Sequence, residues 1–521
     1  MIFRSRFPNV EIPEVGLAEF VIGKAAEFGD RPALIDGPTG RTVTYAELAR
    51  TVRALAAGLA QRGFGKGDVL AVYSPNLPEY AAVLHAVAML GGITTTVNPL
   101  YTERELAEQL TDAGARLLIT VPPLLERARA ASQKAGLKDV VVFGEAPGAT
   151  SFASLLQSGG SVPSVSIAPM TDVVVMPYSS GTTGLPKGVM LTHHNLVANI
   201  LQSEAVFPTE VERVIAVLPF YHIYGLTVLL NISLHRGDTV VTMPRFDLEQ
   251  FLQLMQQHAI TRAYLVPPIV LALAKHPLVD KYNLSSLRSI NSGAAPLGEN
   301  IEQATGDRLH CFVAQGYGLT ETSPVVSTTP LDPAVRRGGS AGLLIPNTEC
   351  KVVDPASGAE LEANQQGEVW VRGPQVMKGY LSQPAATAAM LEPDGWLHTG
   401  DIGMVDQDGY LFIVDRLKEL IKYKAFQVAP AELESLLLKH PAVADAAVIP
   451  HPDPEAGEVP KAFVVMKGQA SPEELMAFVN GQVAPFKKIR LLEVVDQIPK
   501  SPAGKILRRT LIERERSHAG A

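Results

Sequence analysis

An α/β fold in two parts, a large N-terminal domain and a small α+β C-terminal domain, is what this sequence predicts, and three observations predict it. Short β-branched runs alternate with helical patterns over roughly the first two thirds of the chain. Strands punctuated by Gly and Pro take over from Gly342 to Val414. A polar cluster, Asp415-Arg416-Leu417-Lys418-Glu419, is then followed by a stretch with strand and helix patterns of its own. The 521 residues suit two to four compact units at about 150 residues each.

Taken in order, residues 69–73, 117–120, 140–143 and 173–176 read as strands, and helical patterns over 45–61 and 78–90 lie among them. Apolar runs without alternation belong to parallel strands buried on both faces, so two α/β sheets are expected. The uncharged run 214–235 reaches membrane-spanning length, but Pro219, His222, Gly225 and Asn231 interrupt it. It is predicted to be a short buried strand over 214–218, a turn and a buried helix. Residues 367–373 and 409–414 predict an antiparallel, barrel-like section. The C-terminal stretch predicts a helix over 430–440, strands over 444–449 and 462–466, and a helix over 472–483 opened by Ser471. The domains are expected to be 1–417 and 418–521.

Apolar residues make up 46% and charged residues 19%, which excludes disorder and coiled coil. With 45 basic and 53 acidic residues the net charge is -8, so no attraction to a phosphate backbone or an anionic membrane is expected. Two cysteines, Cys311 and Cys350, are too few for a disulfide scaffold and lack metal-ligand spacing. A cytoplasmic protein is expected, with no secretory signal at Met1 and no Ser-Lys-Leu peroxisomal address at the other end.

The most informative segment is Tyr178-Ser179-Ser180-Gly181-Thr182-Thr183-Gly184-Leu185-Pro186-Lys187-Gly188, directly after a predicted buried strand. Its glycines let backbone approach a phosphate, its hydroxyls donate hydrogen bonds, and Lys187 supplies positive charge. Composition alone also fits a polar surface turn. A Walker loop needs Gly-Lys followed by Ser or Thr, and Pro186-Lys187-Gly188 breaks that rule.

This segment resembles the signature of the adenylate-forming superfamily of acyl-CoA synthetases, luciferases and peptide-synthetase adenylation domains. Further motifs of that superfamily follow in order: Tyr221-His222-Ile223-Tyr224, Ser292-Gly293-Ala294-Ala295-Pro296, Gln315-Gly316-Tyr317-Gly318-Leu319-Thr320-Glu321, Gly395-Trp396-Leu397-His398-Thr399-Gly400-Asp401, Asp415-Arg416-Leu417-Lys418-Glu419-Leu420-Ile421-Lys422 and Lys500-Ser501-Pro502-Ala503-Gly504-Lys505. Within the superfamily the chain is most similar to the 4-coumarate:CoA ligase group, through Tyr221-His222-Ile223-Tyr224 and Phe426-Gln427-Val428-Ala429-Pro430-Ala431-Glu432-Leu433-Glu434. The resemblance covers essentially the whole chain.

The resemblance implies a two-step reaction. A carboxylate attacks the α-phosphate of MgATP to give acyl-adenylate and pyrophosphate, and coenzyme A then displaces AMP. Both steps build charge on oxygens, so the site needs fixed cations and oriented amides. Ser179, Ser180, Gly181, Thr182, Thr183 and Lys187 would hold the β- and γ-phosphates, and Glu321 would hold Mg²⁺ as a hard carboxylate. Ala294, Gln315, Gly316, Tyr317 and Thr320 would line the nucleotide, with Tyr317 on adenine; Asp401 would accept the ribose hydroxyls, supported by Arg416. The resemblance makes Lys505 and Lys422 catalytic on opposite half-reactions, with His222 and Gln427 beside them and Lys418 as hinge. It puts Arg245, Lys424 and Ala425 on coenzyme A. The implied partner is a small carboxylic acid, and a monomer or weak homodimer is expected.

The acyl pocket implied by the resemblance comprises Tyr224, Thr227, Tyr264, Asn291, Gly293, Gly316, Pro324 and Val325. In the plant ligases a lysine and an asparagine suit a phenolic hydroxyl; Asn291 and Thr227 stand there instead, and Tyr264 replaces a common methionine. Ala425 stands where glycine is usual. An aryl or arylpropenoic acid is therefore the expected substrate class. A medium-chain fatty acyl-CoA synthetase, a luciferase-like adenylating enzyme and a catalytically inactive nucleotide-sensing protein remain as alternatives.

Overall fold

The computed structural model describes residues 1–157, 159–179, 186–207, 210–417, 419–423, 426–453, 456–483, 485–501 and 504–519, without the side chains of 426–427 and 516–519. An eight-stranded sheet runs in the order Gly379–Tyr380, Lys187–Thr192, Val173–Ser179, Ile93–Val97, Val69–Tyr73, Ala115–Thr120, Val140–Val142 and Thr150–Ser151. It is parallel from Val173–Ser179 onward and antiparallel at the Gly379 edge. A nine-stranded sheet runs Leu343–Leu344, Val325–Thr328, Phe312–Gly318, Ser289–Ser292, Arg262–Leu265, Arg213–Ala216, Thr239–Thr242, Pro32–Asp36 and Thr42–Thr44, with a parallel centre.

One apolar cluster joins the two sheets through the helices Glu79–Met89 and His193–Glu204 and the helical segment from Tyr224. Helix Glu79–Met89 is apolar on all sides, from Tyr80 to Ala88, because it is covered on all sides. The outer face of the eight-stranded sheet is covered by Glu103–Asp112 and Leu125–Lys134. Helix Tyr45–Gln61 starts where the sequence predicts, at a Thr44/Glu47 capping box.

The section expected to be barrel-like is antiparallel but open: Ile2–Arg4, Glu349–Val353, Gly367–Arg372, Leu397–Val405 and Leu411–Arg416 pair in that order, and the two edge strands do not meet among the described residues. The smaller C-terminal part has its own sheet, Phe426–Val428, Ile421–Tyr423, Gly457–Met466 and Val443–Asp453, with Leu491–Val494 parallel to Gly457–Met466. Two apolar clusters of its own support that sheet. The uncharged run 214–235 is strand Arg213–Ala216, a loop, and a buried helix wound as a π-helix over Tyr224–Ile232. Among the described residues no helix is long and apolar enough to cross a membrane.

Candidate active site

A cleft of about 1140 Å³ opens where strands of both large sheets end at their C-terminal sides, the usual position for a ligand in parallel α/β sheets. Ser179 ends the strand Val173–Ser179, Lys187 begins the next, Asn291, Gly293 and Ala294 lie at the end of Ser289–Ser292, and Gly316 and Tyr317 end Phe312–Gly318. Ala294 holds φ of 71°, a left-handed conformation rare for a residue with a Cβ.

At the phosphate end, Ser179 Oγ donates to Glu321 Oε1 at 3.0 Å and the Tyr380 hydroxyl donates to the same oxygen at 2.8 Å. The Lys187 ammonium lies 4.9 Å from the centre of the Tyr380 ring. Ser180, Gly181, Thr182 and Thr183, predicted to share this work, lie outside the described residues. Among the described residues no group of three acidic, His or Cys side chains is placed to hold a metal. A lone carboxylate, Glu321, with Oε2 accepting no hydrogen bond among the described residues, suits a hard cation that arrives with phosphate oxygens as its other ligands.

Further along, the Tyr317 hydroxyl donates to Asp401 Oδ2 at 2.6 Å, and Arg416 Nε approaches Asp401 Oδ1 at 3.2 Å. Asp401 and Arg416 face each other across neighbouring antiparallel strands, so their pairing is fixed by register. Burial raises the Asp401 carboxyl above its ordinary range, opposed by Arg416. Thr320 also lines the cleft. Gln315 does not: its side chain binds Leu297 and Glu302 behind the strand.

Lys505 enters this cleft from the C-terminal part on a loop closed by Ser501 N to Lys505 O and Gly504 N to Ser501 O, both 2.8 Å. Gly504 holds φ of 75°, and a Cβ there would meet Val266 at 3.1 Å and Pro268 at 3.2 Å. Burial pushes the Lys505 ammonium down to about 8, and Arg416 adds to the effect. His222 is pushed down to about 4 by burial and by Lys505, so it is neutral and accepts from Tyr224 N at 3.2 Å. The His222 loop is pinned by two residues the sequence analysis did not single out. Asn76 binds Ala216 O, Leu218 O and Phe220 N, and Thr96 donates to Tyr221 O at 2.7 Å.

The blind end of the cleft is aromatic. Tyr224 donates to Asn291 O at 3.1 Å, and its ring meets Tyr264 edge-on at 6.5 Å, with Phe207 beyond. A Cβ on Gly293 would sit 2.9 Å from the Tyr224 ring, so glycine permits that ring position. Pro324 and Val325 complete the wall, and Asn199 holds Val325 through both its N–H and its carbonyl. Thr227 is fully buried and does not reach the cleft.

Besides Gln315 and Thr227, two predicted residues stand apart from the cleft. Lys422 is exposed on the strand Ile421–Tyr423 and outside the cleft, although the resemblance puts it there in one half-reaction. Arg245 is exposed as well. Gln427 pairs with Lys422 by backbone, but its side chain is not described. Lys418, Lys424 and Ala425 lie outside the described residues. Tyr380 is the main residue missed; its only sequence signal is a short Lys-Gly-Tyr after an apolar pair.

The cleft thus gathers the cations Lys187, Arg416, Lys500 and Lys505 with the Glu321 carboxylate, beside an aromatic pocket. The family model of AMP-binding enzymes matches residues 23–381, and that of the AMP-binding enzyme C-terminal domain matches 432–505. The chain is 44% identical to 4-coumarate–CoA ligase 1 of Solanum tuberosum, over 98% of this chain and 96% of that protein. It is 44% identical to the 4-coumarate–CoA ligase of Pinus taeda, over 98% and 97%. The crystal structure of ATP-bound MatB from Rhodopseudomonas palustris superposes with a TM-score of 0.86 at 29% identity, covering 96% of this chain and 99% of that one. Full-length identity at this level, on a cleft of this construction, means that the chain belongs to the 4-coumarate–CoA ligase family of AMP-forming, ATP-dependent acid:CoA ligases.

Proposed function

We propose that the chain activates an aryl or arylpropenoic acid of the 4-coumarate or cinnamate type and transfers the acyl group to coenzyme A. An acid oxygen attacks the α-phosphorus of ATP, the bond to pyrophosphate breaks, and the thiolate of coenzyme A then attacks the acyl carbon as AMP leaves. The observation that carries this reading is Lys505 lying in one cleft with the Tyr317–Asp401–Arg416 group and an aromatic pocket.

In this reading Ser179 and Lys187, with Ser180, Gly181, Thr182 and Thr183, hold the β- and γ-phosphates. Asp401 and Arg416 take the ribose, and Tyr317, Ala294, Gly316 and Thr320 the adenosine. Glu321 holds Mg²⁺, which supplies charge neutralisation on the phosphate oxygens. Lys505 bridges the acid and the α-phosphate, while neutral His222 stands between acid and thiol. The domains 1–417 and 418–521 turn about Lys418; Arg416 ends one sheet and Ile421 opens another, which leaves few residues to absorb the rotation. Lys422 then replaces Lys505 for thioester formation, with Gln427, Lys424, Ala425 and Arg245 on the coenzyme A side. Tyr224, Tyr264 and Phe207 favour an aromatic acid over a flexible chain. A cytoplasmic monomer or weak homodimer fits the two free cysteines, whose thiols burial pushes up to about 12.

Pyrophosphate release over a panel of acids, with and without coenzyme A, tests the proposal. Asn291 is neutral and Thr227 is not among the residues that line the cleft, so neither supplies a charge to read a para-hydroxyl. Cinnamate and 4-coumarate are therefore expected within about tenfold of each other in kcat/KM, where a site built for a hydroxyl discriminates by about 10⁴. A several-hundredfold preference for 4-coumarate, or a preference for medium-chain fatty acids, would overturn this reading.

A further inference from the structure

Lys187 and Glu321 are opposite charges lining one cleft, and such groups tend to collapse into an ion pair when no ligand separates them. Here they form none. Tyr380 lies between them, presenting its ring face to the Lys187 ammonium and its hydroxyl to Glu321 Oε1. We propose that Tyr380 is a positioning residue that insulates Lys187 from Glu321, keeping one aimed at the terminal phosphates and the other at their metal. This rests on the roles given above to Lys187 and Glu321.

The backbone is built for that task. Gly379–Tyr380 is an edge strand paired with the strand that starts at Lys187: Leu381 N donates to Gly188 O at 2.9 Å and Lys378 N to Met190 O at 3.0 Å. Two residues earlier in the same segment, Met377 N donates to Glu321 O at 2.9 Å. Residues 377–381 therefore fasten the Lys187 strand of one sheet to the Glu321 turn that follows the other. Tyr380 N is itself held by Thr387 Oγ1 at 2.9 Å, and the residue is 5% exposed, which fixes the ring. Ser179 and Tyr380 both donate to Oε1, and among the described residues none donates to Oε2.

The cation–π contact and the hydrogen bond are separable by substitution. Tyr380→Phe keeps the ring under Lys187 and removes the donor to Glu321; Tyr380→Leu removes both. Calorimetric titration of each full-length variant with ATP, with and without Mg²⁺, and with AMP, needs no acid and reads the proposal apart from the identity of the substrate. AMP has no terminal phosphates and serves as the reference. Tyr380→Phe is expected to weaken MgATP about tenfold, the scale of a hydrogen bond to a charged group, while AMP affinity stays within about twofold. Tyr380→Leu is expected to weaken MgATP further and to shrink the gain in ATP affinity that Mg²⁺ provides. In a Glu321→Gln background, Tyr380→Phe should add less than about twofold, because its partner is already altered. Equal loss of AMP and MgATP affinity in Tyr380→Phe would assign the residue a purely structural role. Unchanged MgATP affinity in that variant would overturn the proposal as well.

Discussion

Lys505 and Lys422 belong to the same small C-terminal part, yet their surroundings are opposite. Lys505 lies on a tight loop inside the cleft, with Arg416 and Asp401 close enough to act on its charge. Lys422 stands exposed on a short strand, its backbone N–H bound to Glu458 at 2.7 Å. A site that needed both ammonium groups at once would gather both. Under the proposed division of labour this arrangement is the one for the first half-reaction, and the second would have the C-terminal part turn.

The sharpest way to break this contrast is to remove each charge in turn. Lys505→Ala is expected to cost about 10² to 10³ in acid-dependent pyrophosphate release while leaving synthetic acyl-adenylate convertible to the thioester. Lys422→Ala should reverse the pattern. Equal loss of both activities in both variants would end the division of labour.

A smaller effect comes from pH. The Lys505 ammonium acts as a cation, and burial brings it down to about 8, so it is charged below that value and neutral above it. In kcat/KM for pyrophosphate release, the rate should fall by about tenfold per unit as pH rises beyond about 8. His222, pushed down to about 4, contributes no limb near neutrality. Thioester formation from preformed adenylate should lack the Lys505 limb, and a shared limb would show that Lys505 serves both steps.

The smallest effect concerns Ala425, which lies beside Lys422 in sequence. Ala425→Gly removes one methyl group and restores backbone freedom, so adenylate decay with coenzyme A should quicken by about a few-fold. Adenylate formation should stay unchanged in the same single-turnover record. No change in decay would show that the methyl is sterically irrelevant.

Much of the fold could be read from pattern. The strand at 69–73 and the helix at 45–61 follow from an apolar run and a Thr/Glu cap, both local signals. The strand Ile2–Arg4 could not be read, because its only reason to be extended is the distant Glu349–Val353 with which it pairs. The same division holds in the site. Residues in strung motifs, such as Tyr317 and Asp401, were legible, while Asn76 and Tyr380 act through long-range contacts that leave no spacing in the chain. The resemblance puts Thr227 in the pocket, but on the helix Tyr224–Ile232 it is Tyr224 and Val228 that line the cleft, and Thr227 is buried away from it.

Gly504 rests against Val266 and Pro268, two and four residues after Tyr264, which lines the aromatic end of the cleft, the proposed acid pocket. One short segment therefore carries the pocket on one side and the seat of the Lys505 loop on the other. Drift toward a new acid through residues 264–268 would also disturb the seating that sets the first step. Selection for substrate range and selection for turnover meet in these five positions, and variants that broaden one will tend to need compensation at Gly504 or its neighbours to keep the other.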